Sequence, residues 1–415
     1  MTEFVSITIP KGDIIAMGPE GVRAPDHPII PFIAGDGIGP EVWEATRRVL
    51  DAAVKAAYGD ARAVAWCEIF AGAKALEKYG EGALLPAETI AAIRRFRVVI
   101  KGPLTTPVGG GFRSVNVAMR LALDLYAGVR PVRHVPGTAS PMKHPENVDL
   151  VIFRENTEDV YVGAEWPAHS TEAAEILACV NARLAEEKRD PLAMDSGVGI
   201  KPMSEKGSKR LIRAAFEYAL KNGRPSVTLV HKGNIMKHTE GAFMRWGYEL
   251  AREEYAGRVV TEAEAKGSAV IVKDRIADAM FQDLILSPEN HSVLAAPNLN
   301  GDYLSDAAAA LVGGLGLSPG ANIGDEAAVF EAVHGAAPDI AGKDLANPAS
   351  LILSGCNMLE YIGWDEAARA ASTGLKSAIA AGEMTGDLAK WVPGAKSLSC
   401  SAFAEAVRRR IKISD

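Results

Sequence analysis

IIPFIAGDGIGPEVWEATRRVLDAAVKAA, Ile29 to Ala57, is the stretch that decides the fold class. Ile29 to Ile33 form an unbroken apolar run, which reads as a buried strand. Glycines follow at 35, 37 and 39, and Pro40 sits where a helix would make its first turn. From there to Ala57 the apolar residues recur with helical spacing. Strand, tight turn and helix together are the unit of an α/β protein. The glycines spell GxGxG rather than GxGxxG. No acid ending a second strand about 20 residues on can be placed. The motif therefore reads as a tight turn and not as a dinucleotide fingerprint.

The same alternation continues along the chain. RVVIKGP (97–103), DLVIFREN (149–156), SVTLVHKGN (226–234), SAVIVKD (268–274) and SVLAAPN (292–298) are short apolar runs with polar ends. In open α/β sheets, ligands gather outside the carboxyl ends of strands, so those polar ends are candidate site residues. Residues 158–203 break the alternation and read as an excursion used for subunit contact. From about 313 the chain reads as mainly helical, with GGLGLSPGANIG (313–324) as punctuation.

A chain of 415 residues predicts two or three domains. Apolar residues make up 48% and charged residues 23%, which excludes disorder and a membrane-built protein. Lys+Arg 45 against Asp+Glu 52 gives −7, the wrong sign for a nucleic-acid binder. Cys67, Cys179, Cys356 and Cys400 form no CxxC and predict free thiols in a reducing compartment. No signal peptide and no run of about 18 apolar residues is visible, so a cytoplasmic protein is expected, without membrane partners.

GGGFRSVNVAMR (109–120) leads a glycine run into Ser114 and a helical pattern. Asn116 and Arg120 then share one helix face. A hydroxyl, an amide and a guanidinium at a helix start suit a carboxylate, although a Ser114 that simply caps a surface helix is the commoner use of this pattern. Arg130 and Arg154 each follow an apolar run. With Arg120 they would suit a polycarboxylate if they converge; singly, such arginines are solvated. Asp302 and Asp306 are four apart, as are Asp274 and Asp278. DxxxD on a helix aligns two hard oxygen donors for Mg²⁺ or Mn²⁺, although acids near helix starts are common without any metal. Tyr161 and Lys232 are candidate proton-transfer groups, each more often structural.

Taken together, KGPLTTPVGGGFRSVNVAMR, VIFRENTEDVY, LVHKGNIMKHTEG, NLNGDYLSDAAA, GANIGDEAAVFEAVHGAAP and NPAS resemble one family in its own order. The chain resembles the β-decarboxylating isocitrate/isopropylmalate dehydrogenases, and within them the bacterial homodimeric isocitrate dehydrogenases. The resemblance runs from about residue 28 to the C-terminus. It implies a two-domain α/β fold that is not of the Rossmann type. The large domain would comprise 1–124 and 313–415, the small domain 125–157 and 204–312, and a dimerising clasp 158–203.

The resemblance also implies oxidative decarboxylation of isocitrate to 2-oxoglutarate and CO₂, in the tricarboxylic acid cycle. Ser114, Asn116, Arg120, Arg130 and Arg154 would meet the substrate carboxylates. Asp302 and Asp306, with Asp278 from the partner subunit, would hold Mg²⁺ or Mn²⁺. Lys232, also from the partner, would assist removal of the hydroxyl proton, and Tyr161 would protonate the enolate carbon. Ser114 and Asn116 favour isocitrate over isopropylmalate, homoisocitrate and tartrate. Ser114 also resembles a site phosphorylated by a regulatory kinase in some relatives. A retired relative acting as a ligand sensor or assembly subunit would not be expected to retain this full set.

Thr105, His334, Gly335, Ala336, Ala337, Pro338, Asp339, Ile340 and Asn347 would bind the cofactor. In NADP-using relatives a Lys and a Tyr follow the proline, where this chain has Asp339 and Ile340. A Tyr and an Arg farther on align with Gly386 and Lys390. An acid accepts from ribose hydroxyls but repels a 2′-phosphate, by about 4 kcal/mol per charge pair at 4 Å and an effective dielectric near 20, before discounting for solvent. NAD is therefore the expected cofactor, with an NADP-using enzyme as the alternative.

Overall fold

The computed structural model describes residues 4–18, 21–105, 114–267 and 269–412. The glycine run and Phe112-Arg113 of GGGFRSVNVAMR lie outside them. A short hairpin, β1 (Ala16–Gly18) with β2 (Gly21–Arg23), precedes the main sheet. The sheet begins with β3 (Ile29–Ile33), β4 (Ala65–Glu68), β5 (Val98–Lys101), β6 (Ala127–Arg133) and β7 (Asp149–Glu155). The excursion carries a two-stranded sheet of β8 (Glu165–Trp166) and β9 (Val198–Gly199). The main sheet then resumes with β10 (Ser226–His231), β11 (Val259–Thr261), β12 (Val270–Ile276), β13 (Val293–Ala296), β14 (Pro319–Ile323) and β15 (Ala328–Ala332). A last parallel pair, β16 (Glu383–Thr385) and β17 (Lys396–Leu398), stands apart.

The main sheet has eleven strands in the order β11-β12-β10-β13-β7-β6-β14-β15-β5-β3-β4. Two parallel blocks, β11 to β7 and β15 to β4, are joined by antiparallel β6 and β14. This is the α/β class expected from the alternation, and its strand order is not the Rossmann one. The central strands β5, β10, β13 and β15 are buried along their whole length. That explains their continuous apolar character: helices cover both faces of the sheet, so no face alternates with water. The helices Gly39–Tyr58, Ala349–Tyr361, Asp365–Ala380 and Cys400–Arg408 share one core with Phe330 and Ile100. Ala87–Phe96 and Val115–Ala122 close a second core with Val99 and Val329. Fully burying each such aliphatic or aromatic side chain contributes about 1.5–3 kcal/mol.

One expectation needs correcting. The last hundred residues are not mainly helical at their start: GANI and AVFEA lie in β14 and β15, at the middle of the sheet. Their small residues and glycines hide strand character in one dimension. The reason for those small residues is the site they surround.

Candidate functional site

Parallel pairing sets the last residue of β5, Lys101, opposite Glu331 of β15. Both are buried at the carboxyl ends of their strands. Lys101 Nζ lies 2.8 Å from Glu331 Oε2. Glu331 Oε1 accepts from Arg120 Nη2 and Arg130 Nη2, each at 3.2 Å, and from Asn322 Nδ2 at 2.6 Å. Burial alone would raise this carboxyl's pKa; Lys101, Arg120 and Arg130 overcome it and hold it well below the carboxylate range. Burial lowers the Arg130 guanidinium to about 10, against the pull of Glu331.

Two glycines make the room. A Cβ at Gly320 would fall 2.5 Å from Arg130 Nη1, and one at Gly301 would fall 2.7 Å from the Arg154 side chain. Gly301 lies in the helix Asn298–Leu311 despite the propensity cost. The same helix presents Asp302 and Asp306 one turn apart. Arg154 donates to Asn298 Oδ1 from Nε at 2.9 Å and Nη2 at 2.8 Å, and pairs with Asp302 Oδ1. Tyr161 OH donates to Asp302 Oδ2 at 2.6 Å, with the Arg154 guanidinium 4.8 Å from the ring centre. Burial and that hydrogen bond push the Tyr161 phenol up to about 12, so it keeps its proton. Burial, then the Asp302 charge, raises the Asp306 carboxyl.

These groups line a cavity of about 170 Å³, bounded by Lys101, Asn116, Arg120, Arg130, Arg154, Asp302, Asp306, Glu331, His334 and Gly335. Four cations thus face three carboxylates, a net charge of +1. Asn116 Oδ1, Arg120 Nε and His334 Nε2 are buried at this cavity without a hydrogen-bond partner. Such orphans are rare in a finished interior and mark where a ligand's polar atoms belong.

The arrangement brings together Asn116, Arg120, Arg130, Arg154, Asp302, Asp306 and, through its bond to Asp302, Tyr161. Ser114 stands at the start of helix Val115–Ala122 without capping it, and does not line the cavity. Lys232 and Asp278 do not line it; they pair with each other at 2.5 Å and are partly exposed. No group of three metal-ligating side chains occurs among the described residues. Asp274 is on β12, facing His231 and Tyr248, so it does not share a helix with Asp278. Sequence reading missed Lys101 and Glu331, the most deeply buried charges of the site. Their only signal was a polar residue at the end of an apolar run.

The expected cofactor loop follows β15 directly. Ile38 N donates to Ala336 O at 2.9 Å, so the GxGxG turn braces this loop. Asp36 Oδ2 accepts from Thr105 N at 2.8 Å, fixing another expected cofactor residue. Burial lowers the His334 imidazole, favouring its neutral form. Ala337 has φ of 39°, and Pro338–Ile340 form a single 3₁₀ turn. Gly335, Ala337, Pro338 and Asp339 are exposed, and Ile340 packs against the core. Lys343 Nζ donates to Asp339 O at 2.8 Å. Asn347 Nδ2 donates to Asp387 Oδ2 at 3.0 Å, and Lys390 lies 5.3 Å from the Trp391 ring centre.

The sequence pattern of the isocitrate/isopropylmalate dehydrogenase family matches residues 29–407. The isocitrate dehydrogenase [NADP] of Pseudomonas aeruginosa is 50% identical over 413 residues, covering 97% of this chain and 99% of that one. The isocitrate dehydrogenase [NADP] of Archaeoglobus fulgidus is 51% identical over 391 residues, 92% of each chain. The crystal structure of isocitrate dehydrogenase from Methylococcus capsulatus superposes with a TM-score of 0.77 at 41% identity, covering 93% of this chain and 99% of that one. The NAD-preferring subtype expected from Asp339 and Ile340 is corrected by these relatives, whose names specify NADP. The same turn that carries Asp339 also brings in a cation, Lys343, whose Nζ donates to the Asp339 carbonyl. The chain belongs to the isocitrate/isopropylmalate dehydrogenase family.

Proposed function

We propose that this protein is an isocitrate dehydrogenase: isocitrate and NADP⁺ give 2-oxoglutarate, CO₂ and NADPH, in the cytoplasm and as a step of the tricarboxylic acid cycle. The observation that carries the reading is the charge of the cavity. Its lining has a net charge of +1, and a divalent cation on Asp302 and Asp306 would raise that to +3. Isocitrate carries three carboxylates. Arg120, Arg130 and Arg154 supply planar donor pairs for them, and Asn116 an unpartnered amide oxygen for a hydroxyl.

Asp302 and Asp306 fit Mg²⁺ or Mn²⁺, since both are hard oxygen donors on one helix face and their mutual repulsion needs a cation. Asp278 of the partner subunit would complete that set. A metal bound there supplies Lewis-acid stabilisation of negative charge on substrate oxygen. Tyr161, protonated to about pH 12, delivers a proton to the substrate carbon after CO₂ leaves. Lys232, serving the partner's site, takes part in removing the hydroxyl proton. Support for shared sites comes from the pairing within one chain: Lys232 and Asp278 hold each other and neither lines the cavity that Asp302 and Asp306 line. The two parallel blocks of the sheet are the basis for two domains, with residues 158–203 as the clasp.

The test is turnover of isocitrate with Mn²⁺ and each coenzyme. NADPH formation with release of CO₂ supports the reading; no turnover with either coenzyme overturns it. Turnover with NAD alone overturns the coenzyme assignment only.

A further inference from the structure

Three charged groups outside the cavity take no part in the reading above. Lys201 lies just past β9, at the end of the excursion. Its ammonium is 2.6 Å from Asp159 Oδ1 and 3.0 Å from Glu240 Oε1. Both carboxylates are 1% exposed. Each of them holds a different part of the proposed catalytic set.

Asp159 stands two residues before Tyr161, with φ of 68°, a left-handed backbone uncommon for a residue with a side chain. Its Oδ2 accepts from Leu299 N at 3.0 Å, in the first turn of the helix that bears Asp302. Glu240 Oε2 accepts from the backbone N of Lys232 at 2.5 Å and from Asn300 Nδ2 at 2.8 Å. One ammonium therefore ties the turn of Tyr161 to the turn of Lys232, across the start of the Asp302 helix.

We propose that Lys201 is a positioning residue that sets the Tyr161 turn and the Lys232 turn as one unit. The proposal rests on the reading that Lys232 acts in the partner's site. Under it, Lys201 fixes both the proton donor a chain keeps and the amine it lends. The physical reason is the charge count. Two buried carboxylates share one cation, and the excess negative charge is met by the Val160, Leu299 and Lys232 N–H groups and the Asn300 amide. Without the ammonium, the two acids repel in a dry interior. They then turn apart toward water, and the backbone each one holds moves with it.

The test uses the full-length enzyme with isocitrate, Mn²⁺ and coenzyme. Displacing a reacting group by an ångström costs on the order of 10²-fold. Lys201→Met should therefore lower kcat by about that factor, with isocitrate KM changed by less than about threefold and the dimer intact. Lys201→Arg, which keeps the charge and a donor fork, should recover most of the rate. A hybrid dimer with Tyr161→Phe in one chain and Lys232→Met in the other has one complete site. Lys201→Met should slow that site whichever chain carries it. An unchanged kcat in a folded Lys201→Met enzyme overturns the proposal, as does a loss confined to one placement.

If Lys201→Met does not fold, Glu240→Gln decides. This isostere should slow the hybrid only in the chain that supplies Lys232; no effect there overturns the proposal. Failure of the wild-type enzyme to turn over isocitrate would instead strike the proposed function.

Discussion

Two lysine–carboxylate pairs stand at strand ends in this protein, and their surroundings are opposite. Lys101 and Glu331 meet at 2.8 Å with side chains 2% and 5% exposed. Lys232 and Asp278 meet at 2.5 Å with side chains 32% and 67% exposed. The first pair belongs to a buried network in which Lys101, Arg120, Arg130 and Asn322 all converge on the Glu331 carboxylate. The second pair holds only itself, in water. A buried network is expensive to break, whereas an exposed ion pair contributes little to stability and exchanges partners readily. The difference separates a permanent wall of a site from groups that are available to another ligand or subunit.

The sharpest way to break this comparison is Glu331→Ala. It leaves three cations around a hole and should cost about 3–5 kcal/mol of stability, measured by denaturant unfolding. It should also raise isocitrate KM, because the arginines lose their common anchor. A stability change under about 1 kcal/mol would remove Glu331 from the role given to it. The exposed pair should behave in the reverse manner. Asp278→Asn should leave the unfolding midpoint in place while turnover with Mn²⁺ falls by about tenfold or more. A fall in both, or in neither, would erase the contrast.

Acid should narrow the gap between wild type and Glu331→Gln. The folded pKa of Glu331 is depressed below its usual value of 4.5. Its contribution is therefore complete above about pH 4.5 and is lost as pH falls through the folded pKa. Unfolding curves of both proteins from pH 7 downward test this; a constant gap would contradict it. The smallest effect is expected in the cofactor loop, where Asp339 is exposed and screened. Asp339→Lys with Ile340→Tyr should raise the NADP-to-NAD ratio of kcat/KM by about tenfold, and an unchanged ratio would show that this turn does not meet the 2′ position.

Legibility in the sequence followed burial chemistry. β3, β5, β7, β10 and β13 could be read because both sheet faces are covered, which forces continuous apolar runs. β14 and β15 could not, because Gly320 must clear the Arg130 guanidinium and Glu331 must anchor it, so the apolar run is interrupted. The candidate substrate arginines were legible as polar ends of strands and as one helix face. Lys101 was not, since a lysine after VVI reads as a solvated strand end until a neighbouring strand places a carboxylate on it.

The sequence by itself determined the α/β class, the family motifs in their order, and the residue types of the candidate site. Those properties are local: they depend on periodicity, side-chain chemistry and spacing along the chain. Only the tertiary structure decided that Glu331 gathers Lys101, Arg120 and Arg130, and that Lys232 and Asp278 pair with each other outside the cavity lining. It also joined Lys201 to Asp159 and Glu240 across 42 and 39 residues of chain. The physical reason is that strand register and burial set which charges share a dry space. Register is fixed by pairing between segments remote in the chain, and no spacing along one segment encodes it.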